Sequence, residues 1–472
     1  MVDTDPTLTI WKRFTSIPRA VWVLVLALLL FTTPILVRCW SLSQVPDLGD
    51  PFDVAEFCKV DVPADQNAIT VYEAALAKYA DVDIAVMSDP EKRGRNPGID
   101  FVNRKGTPEE KELISAWRAA HRDALLEWKR GTTFKLAQHA SPTEVEGSIW
   151  IKNLSHVQRI TLLARLEAEE WEQRGDMATA WEWHRARFRF SRHLGHKGAL
   201  LDRLFGKGIY TGTVDDLVRW AGHPAVTTDQ LREALGEVRT VFATTAPWSD
   251  VLKAEYVWLN EQLSKMTLHE LAEEADGLFD GEPILSRQFR LWVVGEPQLM
   301  LRLQRQILAN CLEEMDKPLT QRRKPASMSP LLFDPAPNSI TSPSRLRPSE
   351  IKFAIQRSTA NLAFWTSDTI SEYVSNNEEA GREVVLELVL ALQQHRREHG
   401  EYPVELSRLV PQYIDMVPID PCDPAGKPIC YRRESPLKAR VWSIGHDSYN
   451  QGGTEINSSG QELDPGLGFM LK

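Results

Sequence analysis

SHVQRITLLARLEAEEWEQRGDMATAWEWHRARFRFSRHL, residues 155–194, is the stretch that decides the fold class. On both sides of Gly175-Asp176 its apolar residues recur every three to four positions, the period of an amphipathic helix and not of a strand. Gly175 suits a left-handed helix cap and Asp176 suits the start of a new helix, so the spacing predicts an antiparallel helical hairpin. Helix-start signals recur on either side of it. Thr107-Pro108-Glu109-Glu110 reads as an N-cap, a first-turn proline and a capping-box glutamate ahead of one helix that ends at Gly131. Thr227 with Gln230, and Thr267 with Glu270, repeat the same logic.

A chain of 472 residues with 43% apolar composition can bury two or three cores. Fifteen tryptophans supply large packing anchors. The net charge of −10 argues against nucleic acid as a partner, because neutralising phosphates needs a surplus of Lys and Arg. The five cysteines (Cys39, Cys58, Cys311, Cys422, Cys430) form no CxxC pair, so neither a zinc ribbon nor a thioredoxin-type site is indicated.

Near the N-terminus the text AVWVLVLALLLFTTPILV, residues 20–37, carries no charge. As a helix it would span roughly 27 Å, close to the hydrocarbon thickness of a bilayer. Lys12, Arg13 and Arg19 precede it and Arg38 closes it, which predicts a cytoplasmic N-terminus and an exported body. No small-residue cleavage pattern follows the apolar run, so an uncleaved signal-anchor is expected in preference to a cleaved signal peptide or a buried soluble helix.

This reading divides the chain into a cytoplasmic tail (1–19), a transmembrane helix (20–38) and an exported α-helical domain (39–315). A Pro/Ser-rich linker or long loop (316–349) and a C-terminal module (350–472) complete it. The module is led by a long amphipathic helix over 381–399, with Val384, Leu388, Ala391, Leu392 and His395 on one stripe and Gly400 at its end. Strands are expected over 429–432 and 439–444. The expected fold class is therefore mainly α: a transmembrane helix, a body of helical hairpins and a small α+β ending.

Two resemblances bear on this layout. The Gly175-Asp176 turn, with the small Ala180 five positions later, resembles a tetratricopeptide repeat, although Arg187 stands where that family has another small residue. The ending resembles the periplasmic end of type II secretion pseudopilins. The residues that carry it are Gly400, Tyr402 and Pro403, then Pro418, Asp420 and Pro421, then Gly426, Pro428 and Tyr431, and last Ser443, Gly445 and Asp447. The chain departs from that family in having no acidic residue inside its apolar segment and more than three hundred residues between that segment and the ending. The overall layout is also similar to a large family of uncharacterised bacterial membrane-anchored proteins.

Candidate chemistry is sparse. His269-Glu270-Leu271-Ala272-Glu273 lacks the second histidine of a zinc-peptidase helix, and Glu270 has a capping role without a metal. Gly206-Lys207-Gly208 lacks the remaining parts of a phosphate loop, and no GxSxG elbow is present. Arg185, Arg189, Arg192 and His196 recur on one helical face and form a candidate anionic-ligand patch, with pairing to neighbouring glutamates as the plainer reading. The pseudopilin resemblance implies a calcium loop, for which Asp447, Asn450 and Glu455 are the candidate ligands and a plain turn is the alternative. Export and the turn-rich segment between them make Cys422 and Cys430 a candidate disulfide.

These readings converge on a non-enzymatic interaction or scaffold protein, single-pass in a bacterial inner membrane through residues 20–38, with a periplasmic body and a protein partner in the envelope. The alternatives are a component or adaptor of a type II secretion or pilus-like machine, and an envelope hydrolase without a recognisable motif.

Overall fold

The computed structural model describes residues 18–79, 108–139, 154–274, 281–326, 329–333, 346–357, 377–445, 450, 452 and 468–471. Helix α1 (Arg19–Ser43) is followed by α2 (Val54–Cys58), α3 (Ala68–Ala77), α4 (Pro108–Ala120) and α5 (Arg122–Gly131). The expected hairpin is α6 (Leu154–Gln173) with α7 (Met177–His193), after which come α8 (Leu200–Gly222), α9 (Thr228–Ala243), α10 (Trp248–Lys265) and α11 (Leu268–Glu274). Helices α12 (Ile284–Val294) and α13 (Gln298–Leu312) precede the strands β1 (Pro325–Ala326) and β2 (Ser329–Phe333). The chain closes with α14 (Pro348–Arg357), α15 (Glu378–His399) and the strands β3 (Cys430–Ser435), β4 (Lys438–Trp442) and β5 (Gly468–Leu471).

Two compact units result, neither continuous in sequence. One comprises Met1–Phe52, Leu259–Cys311 and Arg323–Ile370, and the other Asp53–Trp258, Leu312–Arg322 and Ser371–Lys472.

In the first unit, α1 has a mean hydropathy of 2.6 over an 18-residue window, and none of that window is buried by protein. At about 1.5 Å per residue a helix of this length can cross a bilayer. The carbonyls at its C-terminal end are satisfied by α13: Arg302 donates to Leu42 O (2.7 Å) and Val45 O (3.1 Å), and Gln306 to Pro46 O (3.0 Å). The segment 316–349, read from sequence as a linker, contains the antiparallel β1–β2 pair. Backbone pairing does not require apolar periodicity, which is why composition missed it.

The second unit is built around α6 and α7. Between them Asp176 N donates to Trp171 O (3.0 Å) and Gly175 N to Glu172 O (3.0 Å), the paired bonds of a Schellman cap, with Gly175 at φ 80°. Asp176 then accepts from Thr179 N at 3.0 Å and starts α7. Helix α7 lies between two apolar cores. Trp181 and Phe188 enter one, shared with α8, α9, α15 and the sheet; Trp183, Phe190 and Leu194 enter the other, shared with α3, α4, α5 and α6.

Helix α8 approaches α7 closely at Gly206, where an added Cβ would lie 2.4 Å from Ser191 O. The capping box at Thr227 forms as expected, with Gln230 N donating to Thr227 Oγ1 and Thr227 N to Gln230 Oε1. The single helix expected to end at Gly131 is instead broken at His121, whose backbone leaves helical geometry (φ −108°, ψ 13°) and whose Nδ1 lies 2.9 Å from Trp117 O.

Helix α15 is buried beyond the expected stripe. Val385, Leu386, Leu388, Val389, Leu390, Ala391 and Leu392 are all fully buried, because α8 and α9 cover part of its surface and β4 and β5 another part. The sheet order is β3-β4-β5, antiparallel throughout. Strand β5 carried no sequence signal; it registers Leu471 opposite Ala439 and completes the cover over α15.

Two glycines of α8 should respond in opposite directions. Gly206→Ala is expected to destabilise the protein by about 1–3 kcal/mol through overpacking against Ser191 O. Gly208→Ala, with nothing within 4 Å of the new methyl, is expected to stabilise by roughly 0.5–1 kcal/mol through helix propensity. Chemical denaturation of both variants checks the pair.

Candidate functional site

The densest constellation of charge in the described residues sits inside the second unit, where α7, α8 and α15 meet. Helix α7 brings Arg187, Arg189 and Arg192 from its own sequence, and packing on two sides buries Arg187 and Arg192 and half-buries Arg189. A guanidinium taken out of water must be paired, and each finds a carboxylate on another helix.

The first node is Asp216 of α8, fully buried, which binds Arg187 at 2.6 Å, Arg219 at 2.6 Å and Arg165 at 2.9 Å. Burial alone would raise this carboxyl; the Arg187, Arg219 and Arg165 cations outweigh it and hold Asp216 well below the usual carboxylate range. Beside it, burial pushes Glu169 up to about 7, against the pull of Arg219 and Arg165 and with the like charges of Asp216 and Glu172 adding to the rise. Glu172 in turn pairs with His184 at 2.7 Å. Arg187, the residue at odds with the tetratricopeptide pattern, is thus the buried link from α7 to α8.

The second node holds the C-terminal helix. Glu379 of α15 accepts from Arg192, from Arg203 at 2.8 Å and from the Trp248 indole N–H at 3.1 Å. Arg192 also reaches Glu383 at 2.7 Å, and its guanidinium lies 3.8 Å from the centre of the Tyr210 ring. Arg203 fits because Gly195 has no side chain; a Cβ there would meet the Arg203 side chain at 2.7 Å. The two glutamates titrate differently. Burial raises Glu379, but Arg192, Arg203 and Lys207 more than offset it and keep it below its ordinary value. Glu383 shares Arg192 with Glu379, and burial pushes it up to about 7.

Two carboxylates of unequal acidity can serve acid–base chemistry when both face a substrate. Here Glu379 is turned inward onto two arginines and is only 4% exposed, so the arrangement acts as a clamp joining α15 to α7 and α8.

The arginines of the candidate anionic-ligand patch are each paired with carboxylates. Arg185 pairs with Glu182 (2.5 Å) and Glu233 (3.6 Å), Arg189 makes a bidentate pair with Glu237 (2.6 and 2.9 Å), and Arg192 is in the clamp. His196 is partly buried, and burial lowers its affinity for a proton. The stripe is consumed because the helix face that carries it is packed against other helices. Glu270 caps α11, accepting from Thr267 N at 2.8 Å, as the sequence suggested.

At the C-terminal end, Gly400 takes the left-handed cap (φ 77°), Tyr402 is buried, and Tyr431 Oη donates to Pro403 O at 2.7 Å. Asp420 accepts from Ser443 Oγ (2.6 Å), Cys422 N (2.9 Å) and Ile444 N (2.8 Å), tying the turn to the end of β4. Cys422 and Cys430 pack in one small cluster with Ile444 but are not joined in a disulfide. Burial pushes the Cys422 thiol up to about 12, and Cys430 Sγ accepts from Asn450 Nδ2 at 3.3 Å, so both sulfurs sit as packed thiols. Of the candidate calcium ligands, Asp447 and Glu455 lie outside the described residues. Asn450 turns its Oδ1 to the Trp442 indole N–H (3.2 Å) and Gly452 N (3.0 Å).

On the surface of the same unit, an open groove of about 640 Å³ is lined by Lys78, Ala120, Asp123, Leu126, Glu127 and Arg130 among others. Lys78 and Arg130 both lean on Glu127, at 3.4 and 2.5 Å, which places an acidic centre between two bases.

None of these buried nodes was singled out from sequence, because their carboxylates stand at sequence distances of 29 to 191 residues from the α7 arginines they meet. The one available signal was the density of arginine on a helix rich in Trp and Phe.

Two measurements test the assignments. Asp216→Asn is expected to cost about 3–5 kcal/mol of stability, because Arg187 is left buried and unpaired, and Arg187→Met in the same chain should recover part of it. For Glu383 the sign follows from a folded-state value of about 7 against an ordinary 4.5. Between these values the unfolded chain releases a proton that the folded chain retains, so stability falls as pH rises through that window and levels off above it. Glu383→Gln lacks this slope; its melting temperature should gain on wild type between pH 5 and pH 8, and parallel curves would disprove the assignment. No family model, curated protein or solved structure matches the chain, so the reading of this site rests on its geometry.

Proposed function

We propose that the protein is a non-enzymatic scaffold of the bacterial inner membrane, anchored by α1 with a cytoplasmic N-terminus, whose periplasmic helical body presents a protein-binding surface. The observation that carries this reading is α1 itself: an apolar helix of 25 residues, with none of its apolar window covered by protein. Such a surface is unfavourable in water by roughly 25 cal/mol for each Å² exposed, and a bilayer removes that cost.

The body supports the scaffold role by how its charges are used. The buried arginines and carboxylates bind one another, and the open groove at Lys78, Glu127 and Arg130 offers mixed charge with exposed Leu126 beside it, the composition of a protein-contact rim.

The test is topology together with extraction. Full-length chain is expected to stay with membranes through alkaline carbonate washing and to retain its N-terminus, and a phosphatase fused after Asp53 should be active. Release by carbonate or loss of the N-terminal residues would overturn the anchor, and activity of a cytoplasmic reporter at the same point would overturn its orientation. Crosslinking from position 126 should capture an envelope protein; capture of secretion-machine components there would move the reading to an adaptor of that machine.

A further inference from the structure

Helix α12, ILSRQFRLWVV, carries an apolar face that is largely exposed among the described residues. Leu285 is 75% exposed and Phe289 55%, and with Trp292 they stand at i, i+4 and i+7, on one side of the helix. The Phe289 and Trp292 rings are nearly parallel, with centroids 6.3 Å apart. The other side of α12 faces protein: Leu291 is fully buried and Arg287 donates to Ala272 O at 3.0 Å.

What makes this face informative is where it is held. Helix α12 is fastened to α1 at the point where the apolar run of α1 ends. Ser41 Oγ donates to Val294 O at 2.7 Å, and Arg38 donates to Trp292 O while its guanidinium lies 5.3 Å from the Trp292 ring centre. Gly295, in the left-handed region at φ 105°, lets Leu42 approach so closely that an added Cβ would lie 2.9 Å from it. Ser41 meets Val294 and Leu42 meets Gly295, while Arg38, one turn nearer the apolar run, packs on Trp292 and also reaches Glu296 O (3.5 Å) and the Gln298 side chain. Residues that precede Trp292, Leu285 and Phe289 among them, therefore lie back toward the apolar stretch of α1.

We propose that α12 is a second membrane-contacting element, seated in the interfacial layer of the bilayer that α1 crosses, with Leu285 and Phe289 among the upper acyl chains and Trp292 at the headgroup boundary. The inference rests on the reading of α1 as a membrane anchor and adds to it. Its occupant is lipid because the face is continuous with the exit of a bilayer-length helix. Aromatic side chains beside a membrane-terminating arginine are also what the interface favours. A helix lying there fixes the rotation of α1 and the height of the first unit above the membrane, which a single helix leaves free.

The experiment uses the full chain in vesicles of phosphatidylcholine and phosphatidylglycerol, with a fluorescent amino acid encoded at position 28, 232, 285 or 289 and lipids bearing a nitroxide either near the carbonyl or deep in the chain. Positions 285 and 289 are exposed, so the probe disturbs no core. Shallow nitroxide is expected to quench the probe at 285 and 289 about twofold or more relative to the same probe in vesicles without nitroxide, with position 232, whose arginine is 61% exposed, read alongside. Deep nitroxide should quench position 28. Quenching at 28 without quenching at 285 and 289 overturns the inference and leaves the anchor standing, and concentration-dependent self-association through Phe289 in that case would assign the face to a second copy. Absence of quenching at 28, 285 and 289 alike overturns the anchor and the inference with it.

Discussion

The fold of the second unit depends on one constraint: α7 is packed on two sides while carrying arginine at four of its positions. Apolar residues alone would let such a helix sit between two cores in several rotations. Arginines cannot be buried without a carboxylate at bonding distance, so each permitted rotation must bring Arg187 to Asp216, Arg189 to Glu237 and Arg192 to Glu379 together. The net stability of such pairs is small, since desolvation offsets most of the attraction. Their effect is on which arrangement forms.

That constraint also explains why the C-terminal helix is part of the same unit as the hairpin. The Arg192 and Arg203 guanidiniums, stacked near Tyr210 and Trp248, present an acceptor site that only a carboxylate can fill, and Glu379 at the first turn of α15 fills it. Once that end is held, the apolar residues from Val385 to Leu392 lie against α8 and α9, and the sheet covers what remains. At the C-terminal ending the turn residues act locally: Gly400 stops the helix, Tyr402 packs below it, and Asp420 closes the turn onto Ser443. Their geometry shapes a small helix-and-sheet ending.

In the first unit the logic is different, because the apolar helix α1 is not covered. Its end is a set of carbonyls that α13 satisfies with Arg302 and Gln306, and an acidic pair, Asp47 and Asp50, that Arg305 holds at 2.7 and 3.6 Å. Rigid exit from an apolar helix keeps unsatisfied backbone groups out of a low-dielectric layer, where each costs several kcal/mol.

Local chemistry was legible in the sequence. Gly175-Asp176 announced the hairpin turn, Thr227 with Gln230 announced a capped helix, and the charge-free run over residues 20–37 announced α1, because caps and periodicity are decided by residues within one or two turns of each other. What involves distant partners was not. The destination of each arginine on the stripe from Arg185 to His196, the burial of α15 beyond one face, the pairing of β5 with β4 and the break at His121 all follow from which surfaces meet in three dimensions. By itself the sequence determined the hairpin turn at Gly175-Asp176, the cap at Thr227 and an apolar segment of bilayer length. Only the tertiary structure decided which carboxylate each arginine meets, because pairing depends on which surfaces come together, and that carboxylate stood as many as 191 residues away.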